Sequence, residues 1–221
     1  DVKVYRRGYH ARMIHPPALF GHEIAGVVEE VGEGVLGFVP GTPVVAATSA
    51  PCGACSYCRA DRSSLCDDLL FWNGAYAEFA RIPARVVRHN LVPLEEGVGF
   101  REAAMVEPLA CVVRGVEESW IGRGQSVAVI GAGPIGLMFV ALARLRGAHV
   151  TVVGRNASRL QKARELGAEE TIVATAGLDV ADRIHDRVDC IFEAVAVGRD
   201  DPCVRRGAQG RDCARRIELI T

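Results

Sequence analysis

Cys52-x2-Cys55-x2-Cys58-x7-Cys66 places four thiols within fifteen residues, on a stretch that also carries Pro51 and Gly53. Four soft thiolates suit tetrahedral zinc, which holds sulfur at about 2.3 Å. With every coordination position filled by protein, such an ion has no room for water or substrate and braces a loop. Arg59, Asp61, Arg62, Ser63 and Ser64 surround the cysteines with polar side chains, against a core of free thiols. An iron–sulfur cluster is the alternative occupant. Cys111, Cys190, Cys203 and Cys213 are scattered.

The second chemical feature is a glycine-rich turn. Val127-Ala128-Val129-Ile130 runs into Gly131-Ala132-Gly133-Pro134-Ile135-Gly136, and the apolar run Leu137 to Ala143 follows. Between a buried strand and a helix, the first glycine of such a turn reverses the chain and the second lets backbone approach a pyrophosphate. The third lets helix pack on strand. The anion then meets free N–H groups at the helix N-terminus, so Gly131, Gly133, Pro134, Ile135 and Gly136 are candidate dinucleotide contacts. Where the next strand ends, an acid would accept hydrogen bonds from the ribose of NAD, but the residues there are Gly154-Arg155-Asn156. Gly154 removes both the acceptor and a charge that would repel a 2′-phosphate, while Arg155 and Arg159 can attract one. These residues predict NADP in preference to NAD.

Gly21-His22-Glu23 sets an imidazole beside a carboxylate. In a regular strand the two would point to opposite faces, so sharing a metal requires a bend, which Gly21 permits. Glu107 precedes Pro108 at the start of an expected helix, where an anion is stabilised; it reads either as a helix cap or as a metal-site acid. His10, His15, His89, His149 and His185 have no comparable neighbours.

The elements that must position these groups change character along the chain. Residues 24–31, 44–48, 76–82 and 86–87 read as strands, so about the first 90 residues are mainly β with one cysteine-rich loop. Helices are expected over 100–106 and 109–118, with Pro108 at the first position of the second. Strands at 126–130, 150–153, 171–173 and 189–192, with helices at 134–146 and 157–166, predict a parallel doubly wound sheet. The tail 196–221 has poor periodicity and is not assigned.

Composition limits the partners. The 221 residues carry 26 basic and 27 acidic side chains, a net charge of -1, and 49% are hydrophobic. No polybasic face for nucleic acid is expected, and Asp61, Asp67 and Asp68 give the cysteine loop the wrong sign for one. No apolar run reaches the roughly 18 residues of a membrane span, and the N-terminus lacks the layout of a signal peptide. A soluble cytoplasmic protein with a small-molecule partner is expected. Only Lys3 and Lys162 are lysines, so an isolated arginine says little.

Gly21-His22-Glu23 with Ala25-Gly26-Val27-Val28 and Val31-Gly32, the four-cysteine loop, Glu107-Pro108-Leu109 and the glycine-rich turn follow in order. Together they resemble the zinc-dependent medium-chain dehydrogenases, the sorbitol and threonine dehydrogenase branch in particular. The resemblance covers residues 1 to about 195. It implies a mixed fold: a mainly-β GroES-like zinc-binding catalytic domain over 1–95, connecting helices over 96–120, and an incomplete α/β Rossmann-type domain over 121–221. By the same resemblance, His22 ligates a catalytic zinc, Glu23 and Glu107 are ligands or acids that exchange with water, and the cysteines hold a structural zinc. Asp1 resembles the carboxylate that orients the zinc-bound histidine. The family's cysteine ligand and its Ser or Thr proton relay would precede Asp1, and the tail after Val195 departs from the family pattern, suiting a fragment or a shifted frame. The implied activity is hydride transfer between an alcohol or polyol and NAD(P), by a homodimer or homotetramer when full length. The alternative is a catalytically incomplete, zinc-stabilised nucleotide-binding fragment.

Overall fold

In the computed structural model the chain divides into two compact units, Asp1–Pro108 and Leu109–Thr221. The structure describes residues 2–8, 14, 17–175, 183–184, 188–195 and the backbone of 215–218. The first unit carries α1 (Val2–Arg7), β1 (Glu23–Val27), β2 (Pro43–Ala47), β3 (Ser49–Ala50) and α2 (Ser56–Arg59). A 3-10 turn (Ser63–Leu65), β4 (Leu70–Phe71), α3 (Ala84–Asn90), β5 (Leu91–Pro93) and α4 (Phe100–Ala103) follow. β1, β2 and β5 form an antiparallel sheet in that order, with Glu23 opposite Ala47 and Val27 opposite Pro43. β3 and β4 pair antiparallel, Ala50 against Leu70, and so close the base of the cysteine loop. Ala46, Ala50 and Val86 are buried at the centre of this unit, with Ile24, Leu70, Trp72, Ile82 and Leu91 packed around them.

Three expectations for this unit need correction. The strand expected over 24–31 has a regular ladder only to Val27, after which Val28 still bonds to Thr42 and Gly41 at 2.9 and 2.8 Å. The strand expected over 76–82 does not form. That segment runs as bends, its Tyr76 N–H bonded to the Phe20 carbonyl at 3.2 Å and its Tyr76 and Phe79 side chains exposed. The strand expected at 86–87 lies inside α3. Pro83, in extended backbone at φ -60° and ψ 143°, leads into that helix, and Val86 is fully buried. Burial of one side chain outweighs the modest β preference of a Val-Val pair.

α5 (Val106–Ser119) begins at the end of the first unit's sequence. It starts before the expected residue 109, so Pro108 is its third residue, still in the first turn where N–H groups have no intrahelical partner. The second unit continues with β6 (Ser126–Ile130), α6 (Pro134–Leu145), β7 (His149–Gly154), α7 (Ala157–Glu165), β8 (Glu170–Val173), β9 (Cys190–Glu193) and β10 (Arg215–Glu218). The strands form one parallel sheet in the order β10-β9-β6-β7-β8. Val127, Val129, Val150 and Val152 are buried, the near-continuous apolar run of a parallel strand covered on both faces. Phe139 of α6 stacks on Phe192 of β9, ring centroids 4.1 Å apart. β10 comes from the unassigned tail, whose residues 196–214 and 219–221 lie outside the described residues. Among the described residues no helix is long and apolar enough to cross a membrane.

Candidate metal centres and cofactor turn

The cysteine loop folds back so that the sulfurs of Cys52, Cys55, Cys58 and Cys66 all lie within 4.8 Å of one another. Two of the separations are 3.5 Å (Cys55 to Cys58) and 3.9 Å (Cys52 to Cys58). Sulfurs at zinc-bond length from a tetrahedral centre stand about 3.8 Å apart, so the spacing fits that ion with little rearrangement. Local backbone explains the convergence. Gly53 takes a positive φ of 75°, turning the chain so that the N–H groups of Ala54 and Cys55 point at the Cys52 sulfur, at 3.4 and 3.3 Å. Cys55 caps α2, its sulfur accepting from the Cys58 N–H at 3.5 Å. The Cys66 sulfur accepts from the Cys52 N–H at 3.2 Å, tying the loop's two ends.

These N–H groups favour thiolate. The Cys58 N–H, followed by that of Asp67, lowers the Cys55 thiol to about 6, and the Ala54 N–H is the largest influence lowering Cys52. Cys58 is pushed up to about 12, by desolvation first and by its thiol neighbours next. The metal-free cluster thus retains protons that a divalent cation would displace.

His22, Glu23 and Glu107 form the second group, one ligating atom from each lying within 4.8 Å of the others. His22 precedes β1 and Glu23 is its first residue, so strand alternation does not separate them. Gly21 makes this possible. Its φ is +96°, and a Cβ there would lie 2.6 Å from the Tyr76 nitrogen. Its carbonyl accepts from Gly74 and Ala75 at 3.0 and 3.1 Å, and the His22 carbonyl accepts from the buried Thr48 hydroxyl at 3.2 Å. Glu107 sits in the first turn of α5, inside the helix rather than before it. Desolvation raises its pKa, His22 opposes the rise, and Glu23 adds to it. One nitrogen and two carboxylates match the donors of zinc and leave a coordination position open. Asp1 lies outside the described residues.

In the second unit, β6 runs into Gly131, which has a φ of +110° and whose Cβ would meet the Ala194 carbonyl at 2.7 Å. Gly133 caps α6 and Pro134 opens it. A Cβ on Gly136 would fall 1.8 Å from the Gly131 carbonyl oxygen, whereas around Gly133 there is open space. The first and third glycines are therefore demanded by packing, and the second leaves backbone accessible. Ile135 follows in the same first turn, whose N–H groups face away from the helix body. Gly154 ends β7 and is buried, while Arg155 and Arg159 are exposed. Among the described residues neither guanidinium is in an ion pair. Asn156 caps α7, accepting from the Arg159 N–H at 3.1 Å.

Sequence reasoning missed the contacts of α3. Arg85 and Asn90 bond to the strand and loop that carry the cysteines, and His89 lies beside Gly53. Their only signal was position, His89 and Asn90 standing four and five residues after Arg85 on either side of the 86–87 pair that reads as strand. His149, also without an assigned role, pairs with Glu169 at 2.8 Å, and Glu169 in turn meets Arg144.

Residues 1–95 match the family model of the alcohol dehydrogenase GroES-like domain, and residues 134–201 match that of the zinc-binding dehydrogenases. The chain belongs to the zinc-dependent medium-chain dehydrogenases. It is 32% identical to a sorbitol dehydrogenase of Halalkalibacterium halodurans, over 98% of this chain and 62% of that protein. It is 37% identical to an L-threonine 3-dehydrogenase of Bacillus velezensis, over 79% of this chain and 51% of that one. A crystal structure of a zinc-binding dehydrogenase from Sinorhizobium meliloti, bound to NADP, matches with a TM-score of 0.76 at 34% identity. That match covers 84% of this chain and 56% of the other. The chain thus spans about half to three-fifths of the length of these relatives.

Proposed function

We propose that this chain carries the two zinc sites and the nucleotide turn of an enzyme that transfers hydride between an alcohol or polyol and NAD(P). The observation that carries the reading is the convergence of His22, Glu23 and Glu107, from opposite ends of the first unit's sequence, into one donor set. Zinc supplies Lewis acidity toward a substrate hydroxyl there, and a nicotinamide supplies the hydride acceptor. His22 offers a nitrogen donor whose backbone is fixed by Thr48 and the Gly21 turn. Glu23 and Glu107 hold two carboxylates at a spacing that is repulsive without a cation and attractive with one. Asp1 is assigned the orienting of His22. Cys52, Cys55, Cys58 and Cys66 hold the structural zinc. In this reading residues 1–95 are the catalytic domain, 96–120 the connecting helices and 121–221 the nucleotide-binding domain.

Gly131, Gly133, Pro134, Ile135 and Gly136 cradle the pyrophosphate. At the adenosine end we assign NADP over NAD, because Gly154 offers no acid to the ribose while Arg155 and Arg159 are exposed cations beside it. The NADP held by the Sinorhizobium meliloti neighbour supports a nicotinamide cofactor at this turn. The similarity to sorbitol and threonine dehydrogenases supports a secondary alcohol as the substrate class. The full-length enzyme is assigned to the cytoplasm, as a homodimer or homotetramer.

A second reading, a zinc-stabilised nucleotide-binding chain without turnover, is favoured by the exposure of Glu23, since exposed acidic groups commonly gather without holding an ion. Zinc content and activity separate the two. The first predicts a second zinc equivalent that is lost in H22A, together with NADP-dependent oxidation of sorbitol, threonine or a simple secondary alcohol. A single zinc, released only on substituting the cysteines, and no turnover on that panel would establish the second.

A further inference from the structure

The cysteine loop leaves the sheet at Ala50 and returns through Asp68, and one side chain from outside the loop grips both points. Arg85 of α3 donates from Nε and Nη2 to the Ala50 carbonyl, at 3.2 and 3.1 Å. Its Nη1 donates to the Asp68 carboxylate at 2.8 Å, and Nη2 also reaches the Asp68 carbonyl. Ala50 stands two residues before Cys52 and Asp68 two residues after Cys66. The Arg85 side chain is 28% exposed and that of Asp68 75%; the two contacts to the Ala50 carbonyl are part-buried and the two to Asp68 exposed. Two neighbours on the same helix act on the same loop. Asn90 donates to the Ser49 carbonyl, and His89 stands 3.9 Å from where a Cβ on Gly53 would be.

We propose that Arg85 is the positioning residue of the four-thiolate site, its guanidinium locking the loop's entrance to its exit so that the sulfurs are held at metal-binding spacing. This rests on the reading of the four cysteines as a zinc site. Arginine suits the task because a rigid planar fork serves two acceptors at once, whereas lysine offers a single mobile charge. The exposed ion pair with Asp68 contributes little by itself; the contacts to backbone carbonyls set the loop's closure. Groups that orient a metal site without touching the ion commonly change its affinity by about 10- to 100-fold.

The test uses the full chain loaded with zinc and follows release to a chromophoric chelator, with cobalt(II) substitution reporting the thiolate charge-transfer band. R85A is expected to release zinc about 10-fold faster than the parent. R85K should fall in between, and D68N, which keeps the carbonyl acceptor, should stay near the parent. The cobalt band should keep its intensity in R85A, showing that all sulfurs still bind. Release from R85A at the parent rate, with an unfolding midpoint lowered equally in the presence and absence of metal, would overturn the proposal and leave Arg85 a general stabiliser. If the parent chain takes up no metal on its thiols, the zinc-site reading falls and the role of Arg85 falls with it.

Discussion

Replacing Glu107 by Gln should stabilise the chain while the His22 site is empty and weaken metal binding there, two effects of opposite sign from one substitution. Glu107 is half-buried and shares its surroundings with Glu23, their ligating oxygens no more than 4.8 Å apart. Two unit charges at that distance repel by about 0.9 kcal/mol in bulk water and about 3.5 kcal/mol at an effective dielectric of 20. Glu23 is exposed, so solvent screening places the repulsion near the lower figure; desolvation of Glu107 adds to it and His22 opposes it, leaving a net cost of the charged form on the order of 1 kcal/mol. The pH dependence follows from the direction of the shift. The folded state holds the Glu107 proton more tightly than the unfolded state, so stability from this group is fully present below the unfolded value. It is lost as pH rises through the raised folded pKa. The advantage of E107Q should therefore be present at pH 7.5 and vanish near pH 4. The assay is thermal unfolding of chains given one zinc equivalent, which the four thiolates take first, with and without a second equivalent. With one equivalent, the unfolding midpoint of the unit carrying the site should rise by about 4 °C in E107Q. With the second, the parent should gain stability and E107Q should gain much less. An E107Q chain less stable than the parent at pH 7.5 with the second site empty would refute the desolvated like-charge picture.

Gly136→Ala should cost at least about 2 kcal/mol and abolish nucleotide binding, because its Cβ would meet the Gly131 carbonyl oxygen at 1.8 Å; chemical unfolding and a fluorescence titration with NADPH check both. Gly154→Asp should shift preference toward NAD, lowering NADP affinity at least about tenfold through repulsion of the 2′-phosphate. It should also carry a packing penalty of about 1 kcal/mol, since the new Cβ lies 3.0 Å from that of Ala132. Binding isotherms for both nucleotides decide it, and an unchanged ratio would remove Gly154 from the specificity argument. Phe139→Ala should lose about 3–5 kcal/mol by emptying the stack on Phe192, as read from chemical unfolding of the nucleotide-binding half; a loss under about 1 kcal/mol would show that the site repacks.

How far the sequence carried depended on whether the deciding interactions were local. The parallel strands of the second unit were legible because each must be apolar on both faces, and Val127 to Ile130 and Val150 to Val153 say so without reference to anything distant. The glycine turn was legible in part for the same reason, since a side chain on Gly136 would strike the Gly131 carbonyl five residues back, whereas Gly131 is kept bare by the distant Ala194 carbonyl. The segments over 76–82 and 86–87 misled because their β-branched and aromatic residues satisfy two environments equally. Val86 is buried from a helix as completely as it would be from a strand, and only the position of Ala46 and Ala50 decides between them.

The residue types able to do chemistry, their order along the chain and the soft donor set of the cysteine loop are determined by the sequence itself, because four thiols within fifteen residues, with Gly53 to turn the chain, need only local folding to converge. What the tertiary structure alone decided is which distant groups meet. Glu107 joins His22 and Glu23 because α5 and the Gly21 turn deliver them to one point, and Arg85 joins Ala50 to Asp68 because the helix α3 forms around the Val86-Val87 pair that reads as strand. Such meetings follow from long-range packing, and no local periodicity encodes them.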